Sequence, residues 1–397
     1  TPQSPSGVGS MRFSNDGSTW SAWESYATSK SWTLLTGDGV KTVYVQFRDN
    51  AGLISTSYTD TIILDTVAPT GSVTINAGAT YTTSRTVTLT LSASDATSGV
   101  AKMRFAENLG SWGSWYNYAT SFSYTLTSAG DGTKYVDVQY QDGAGNLSPA
   151  WAIWDSIILD TTSPTGSIVI NSGNPTYTTS TSVTLYLSYS DAASGVDKVR
   201  YSNDGVWDTE PWETPTGTKA WTLTSGDGTK TVYYQIRDKA GFLSSTYSDT
   251  IILDTTAPTG SIVINSGNPT YTTTTSVTLY LTYSDATSGV DQVRYSNDGV
   301  WDTEPWETPA ATKAWTLTTG DGTKTVYYQI RDKASWLSLT YSDQIRLDTT
   351  PPVTTISHSP GSSTVSLSAT DATSGVYATY YRIDLGSWIT YTGPFTL

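Results

Sequence analysis

Along most of this chain, apolar residues alternate with polar ones in short runs separated by Gly, Asp, Ser and Thr. Alternation puts successive side chains on opposite faces of an extended strand, and no stretch keeps the apolar spacing of a helix. From Ser276 to Tyr283 the pattern sets Val277, Leu279, Leu281 and Tyr283 on one face and Thr278, Tyr280 and Thr282 on the other. In the next runs Val293 and Tyr295, then Val326, Tyr328 and Ile330, are expected to point inward. "SIVIN" at 261–265, "KAWTLTTGDG" at 313–322 and "DQIRLDT" at 343–349 complete the set. Six or seven strands in about 94 residues predict a β-sandwich.

The same pattern is written several times. "TGSIVINSGNPTYTT" stands at 165–179 and again at 259–273. "LDT" recurs from Leu64, Leu159, Leu253 and Leu347, and Asp95, Asp191, Asp285 and Asp371 each open a D-A-x-S-G-V phrase. The repeat divides the chain into a partial unit at 1–65 lacking its first strands, full units at 66–160, 161–254 and 255–348, and a partial, divergent unit at 349–397. Units that open and close in mid-sandwich lead us to expect either a piece of a longer chain or ends that complete each other between subunits. Linkers such as "DTTAPTG" carry Pro258 and no Gly/Ser spacer, which predicts a stiff rod.

Composition narrows the chemistry. The 397 residues carry 35 acidic and 21 basic side chains, net −14, which argues against a nucleic-acid partner. There is no Cys and a single His, His358, so thiol chemistry and His-based acid–base or zinc sites are not expected. No apolar run approaches the roughly 20 residues of a transmembrane helix. Many Thr, Ser, Tyr and Trp with low charge suggest an extracellular or cell-surface protein.

"LDTTAPTGS", "SDATSGV", "RYSNDG..W..W", "GDGTKTVYY" and "RDKAGFLS" together resemble the bacterial and archaeal Ig-like repeats of large cell-surface proteins, of adhesin or surface-layer type. The likeness covers essentially the whole chain. It implies tandem immunoglobulin-like β-sandwich domains and no shared enzymatic activity, the members serving as stalks, spacers, adhesive tips and fibre or layer subunits.

Three aspartates per unit fall where loops of such a sandwich meet the entering chain. Asp65, Asp95 and Asp142 are expected to converge at one junction, Asp160, Asp191 and Asp238 at the next, and Asp254, Asp285 and Asp332 at the third. Carboxylates this close repel, and a hard divalent cation would relieve them; calcium suits such loops. The resemblance adds to this, because some surface arrays stiffen their junctions with calcium. The other reading is that each aspartate only caps a turn. Both stay open at this point.

Paired tryptophans recur between the third and fifth strands, Trp207 with Trp212 and Trp301 with Trp306 in the twin units. They either stack on a glycan or cover the edge of the sandwich. Tyr186, Tyr233, Tyr280 and Tyr327 occupy outward positions, which reads as a lateral contact or as strand propensity alone. Glu210 and Glu213 beside Trp212 have the composition of a glycosidase pair, but their copy in the next unit as Glu304 and Glu307 reads as a solvated loop. The expectation is a non-enzymatic extracellular structural protein, a stalk or a subunit of a surface filament, sheath or layer. It would associate with itself or with other cell-surface components. The alternative is the spacer of an adhesin, with a glycan held by the Trp-rich loops.

Overall fold

The computed structural model describes residues 7–172, 175–267 and 270–397. The duplicated phrase crosses 173–174 and 268–269, and the first unit opens with 1–6; these lie outside the described residues. The described chain is all-β, a series of tandem β-sandwiches.

In the fourth unit seven strands build two sheets. The first sheet orders Thr259–Ile264, Ser276–Ser284 and Thr312–Thr316, all antiparallel. The second orders Tyr271–Thr272, Tyr341–Leu347, Gly322–Asp332 and Val290–Ser296. Val277, Leu279 and Leu281 face Val293, Tyr295, Val326, Tyr328 and Ile330 across the sandwich, all buried as their alternation requires. Each fully buried aliphatic side chain contributes about 2 kcal/mol of transfer free energy. Asp343 also joins the two sheets: its Oδ2 accepts a hydrogen bond from the Ile264 amide at 2.7 Å. Asp155 and Asp249 do the same for Ile75 and Ile170.

Tyr271–Thr272 is not expected from the pattern. It pairs parallel with Arg346–Leu347 at the far edge of the second sheet, so the chain begins in one sheet and crosses to the other. Two residues cannot show alternation, and this strand has no signature in sequence.

The third unit repeats this plan strand for strand. The second unit adds a short strand, Tyr116–Asn117, beside Val100–Glu107. Among the described residues, the first unit contributes one four-stranded sheet, with Val40, Ile62 and Ile63 exposed. The last contributes a three-stranded and a two-stranded sheet.

Candidate functional site

At each joint the chain leaves a last strand and turns into the next sandwich within a few residues, and side chains from both sides hold it. At the joint between the third and fourth units, Asp227 in the Gly-Asp-Gly turn accepts hydrogen bonds from the Thr255 amide at 2.9 Å and its hydroxyl at 2.7 Å. One residue earlier, Asp254 is fully buried and faces the following unit, its Oδ2 accepting from the Ser288 amide at 3.1 Å. The Trp336 indole N–H donates to the Asp254 carbonyl at 3.0 Å. Thr66 on Asp38, Thr161 on Asp131 and Thr349 on Asp321 repeat the backward contact. Ser98 on Asp65, Ser194 on Asp160 and Ser374 on Asp348 repeat the forward one. The Gly-Asp-Gly aspartates read only as turn residues in sequence, because their partners lie about 30 residues ahead.

The three aspartates expected at each junction do come together. Asp65, Asp95 and Asp142, then Asp160, Asp191 and Asp238, then Asp254, Asp285 and Asp332, each offer ligand oxygens within 4.8 Å of one another. They also cap turns: Asp285 Oδ1 accepts from the Thr287, Ser288 and Gly289 amides, and Asp332 Oδ1 from the Trp336 amide. Capping does not satisfy every oxygen. Asp238 Oδ2 and Asp332 Oδ2 are buried without a hydrogen-bond partner. Burial pushes both carboxyls above the ordinary range, and the charges of Asp160 and Asp191, or Asp254 and Asp285, push the same way.

The first junction differs. There the Asn146 side-chain N–H donates to Asp142 Oδ2 at 2.8 Å and to the Asp65 carbonyl at 3.1 Å. The amide fills the place that Phe242 and Trp336 leave to the carboxylate in the twin units. The donor set at the second and third junctions, hard oxygens with one buried and unpaired, therefore fits a small divalent cation. At the first, a neutral amide already does that work.

Trp207, Trp212, Trp301 and Trp306 are half-buried and belong to a ladder whose other rungs are arginines. Arg200 lies 4.6 Å from the Trp207 ring and 4.5 Å from the Trp212 ring, and Arg237 lies 4.8 Å from Trp212. Arg294 and Arg331 hold the same places on Trp301 and Trp306. Arg12 and Arg48 hold them in the first unit on Trp20 and Trp23. Each central guanidinium also makes two hydrogen bonds to a glutamine on the neighbouring strand, Arg294 to Gln329 Oε1 at 3.0 and 2.6 Å. A sugar stacking on Trp212 or Trp306 has to displace a cation already seated there.

Tyr186 and Tyr280 are exposed on the first sheet. Tyr233 and Tyr327, expected to share an outward row with them, are half-buried. Their rings cover Gly205 and Gly299 of the Ser-Asn-Asp-Gly turns, where an added Cβ would stand 3.1–3.3 Å from ring carbons. Glu213 and Glu307 form ion pairs with Lys219 and Lys313.

No family model matches the chain, and no curated protein matches it in sequence. Among solved structures, it is similar to fibronectin(III)-like modules of Clostridium thermocellum CbhA, at 15% identity over 46% of this chain and 94% of that one, with a TM-score of 0.28. It is also similar to the three N-terminal domains of the bacteriophage RB49 Highly Immunogenic Outer Capsid protein. That match is 10% identical over 72% of this chain and 100% of the other, with a TM-score of 0.30. At these scores the immunoglobulin-like assignment rests on the strand order of the sheets themselves. No helix among the described residues is long and apolar enough to cross a membrane.

Proposed function

We propose that the chain is an extracellular structural repeat protein, a stiff stalk or a subunit of a cell-surface filament, sheath or layer. The observation that carries this reading is the joint: in a linker of a few residues, Thr255 is bound to the sandwich behind it and Asp254 to the one ahead. Such a linker has little freedom to swivel, and each unit adds about 40 Å of length, from strands of about 8 residues at about 3.3 Å plus loops. Calcium at the second and third junctions would add stiffness by engaging Asp238 Oδ2 and Asp332 Oδ2. The exposed Tyr186 and Tyr280 supply a face for lateral contact with another copy or a neighbouring surface component. An adhesin spacer would share this mechanics, but the arginines on the tryptophan rings speak against a glycan site in those loops.

Small-angle scattering of the whole chain, with calcium and with a chelator, tests the proposal. A rod cross-section and a maximum dimension near the summed unit length are expected in calcium. With the chelator, bending should concentrate at the second and third junctions, read by distance distributions between spin labels flanking each joint. Broad distributions at every joint in calcium would overturn the stiff-rod reading; narrow ones unchanged by the chelator would overturn the calcium reading alone.

A further inference from the structure

The second unit departs from its neighbours at one spot. Where the twins carry Tyr233 and Tyr327 over a glycine turn, this unit carries Asp137, paired across the strands with Trp154. The turn itself is replaced by Glu107–Gly110, in which Asn108 and Leu109 take left-handed backbone angles, φ 51° and 58°. Trp151, in the loop before the last strand, is left-handed as well, φ 62°. Leucine and tryptophan rarely adopt this conformation, and such residues collect where a fold holds a site in shape.

These residues enclose a cleft of about 530 Å³ lined by Asn108, Leu109, Tyr135, Asp137, Trp151 and Trp154. Its wall is built. The Asn108 amide donates to the Tyr135 carbonyl at 2.9 Å, and Asn108 Oδ1 accepts from the Tyr135 amide at 2.9 Å. Trp151 stacks on Trp112 at 4.6 Å, which fixes its ring at the end of the Arg104 ladder. Tyr135 and Trp154 meet edge to face at 5.7 Å. Yet all three rings remain substantially exposed, Trp154 at 54%.

Beneath them Asp137 is 1% exposed. The Leu109 amide donates to its carboxylate, while Oδ2 has no partner. Burial pushes this carboxyl up, as expected of an acid lacking its counter-charge. A buried unpaired carboxylate under three open aromatic rings is costly as a solvent face and coherent as a cation site.

The acceptor count selects the cation. A primary ammonium has three N–H donors and a sugar several hydroxyls, each needing a partner. Among the side chains lining the cleft, Asp137 Oδ2 is the buried acceptor with no partner, and Asn108 Oδ1 already accepts from the Tyr135 amide. A quaternary ammonium brings charge without donors and is held by π-faces and a single carboxylate. We propose that this cleft binds a quaternary ammonium group, with Tyr135, Trp151 and Trp154 as its walls and Asp137 as its counter-charge. The site is independent of the junctions and gives the second unit a recognition role that its neighbours lack.

Titrating the full chain with choline and with tetramethylammonium, followed by calorimetry and tryptophan fluorescence, tests this. Saturable one-site binding is expected, at least tenfold weaker in Asp137→Asn and in Trp154→Ala, with unchanged circular dichroism in both. The neutral isostere 3,3-dimethylbutanol should bind at least tenfold more weakly than choline. If the Asp137→Asn protein is poorly folded, Trp154→Ala and the isostere still decide the matter. Equal binding of choline and the isostere, affinity indifferent to both substitutions, or saturable binding of methyl glycosides in place of choline would each overturn the proposal.

Discussion

Replacing Arg294 by Ala should destabilise the fourth unit and leave the third unchanged. The guanidinium lies 4.5 Å from both the Trp301 and Trp306 rings and makes two hydrogen bonds to Gln329 Oε1. Each cation–π contact is worth about 0.5–1 kcal/mol where partly exposed, and a charge-assisted hydrogen bond about 1.5–3 kcal/mol. The sum is an upper bound, because holding Arg294 there costs desolvation, the first cause of its lowered pKa. We expect a net loss of about 2–3 kcal/mol. Arg294→Lys keeps the charge but not the planar fork, so it should recover less than half. The assay is native-state hydrogen exchange read by mass spectrometry on the whole chain. The third unit is an internal control, since Arg200 makes the same contacts on Trp207 and Trp212. Amides of Val290–Ser296 and Gly322–Asp332 should exchange about 30- to 150-fold faster, and those of Val196–Ser202 and Gly228–Asp238 at the parent rate. A change below about threefold, or full rescue by Lys, would refute the ladder as a stabilising element.

Three further outcomes follow from the structure. Gly260→Ala would place a Cβ 2.3 Å from the Thr282 carbonyl oxygen and 2.5 Å from Ile330 Cδ1, so calorimetry should show the fourth unit melting earlier by about 1–3 kcal/mol of lost stability; an unchanged thermogram refutes the close approach. At high pH, burial pushes the Tyr124 and Tyr201 phenols up to about 12, above their ordinary 10. A raised folded pKa means the stabilisation is complete below pH 10 and lost as pH rises toward 12. Phenolate absorbance should therefore include a late step that coincides with unfolding, and its absence refutes the burial. At low pH, the side-chain hydrogen bond from Thr350, followed by those from Thr349, holds Asp321 down to about 2. With a depressed folded pKa, its clamp is intact above 3.8 and lost as pH falls toward 2. Spin-label distances across the fourth joint should thus stay narrow at pH 4.5, and broadening there contradicts the clamp.

The strands and the convergence of aspartates were legible because both rest on local rules: alternation fixes a face, and Asp beside Gly, Ser and Thr fixes a turn. Once the sandwich topology is granted, the loops of Asp160, Asp191 and Asp238 have only one end of the unit to occupy. The arginine ladder was not legible. Arg200 and Arg294 sit at outward strand positions, where a charged residue reads as solvated. Their rings come from the irregular segments holding Trp207, Trp212, Trp301 and Trp306, whose path carries no periodicity. Only strand register, Arg200 opposite Gln235 and Arg294 opposite Gln329, shows that the guanidinium is anchored well enough to serve as a platform. Asp137 was hidden for the same reason. Its position alternates as an exposed one, and its burial is imposed by loops with left-handed Leu109 and Trp151.

The near-identical units also show which differences are physically silent. Ser188 in one twin becomes Thr282 in the other, and the hydroxyl keeps its bond at 2.8 Å, to Ser167 and Ser261 respectively. The strand is unaffected because the exchange adds one methyl to an exposed face. The position four residues after Asp142, Asp238 and Asp332 behaves differently. The Asn146 side-chain amide donates to Asp142 Oδ2, whereas Phe242 and Trp336 leave Oδ2 of Asp238 and Asp332 without a partner in the same backbone frame. One side chain per unit, outside every strand, thus sets whether the second oxygen of the junction carboxylate has a partner. In a tandem array of otherwise equivalent sandwiches, the joints differ in their hydrogen bonding while the domains stay alike.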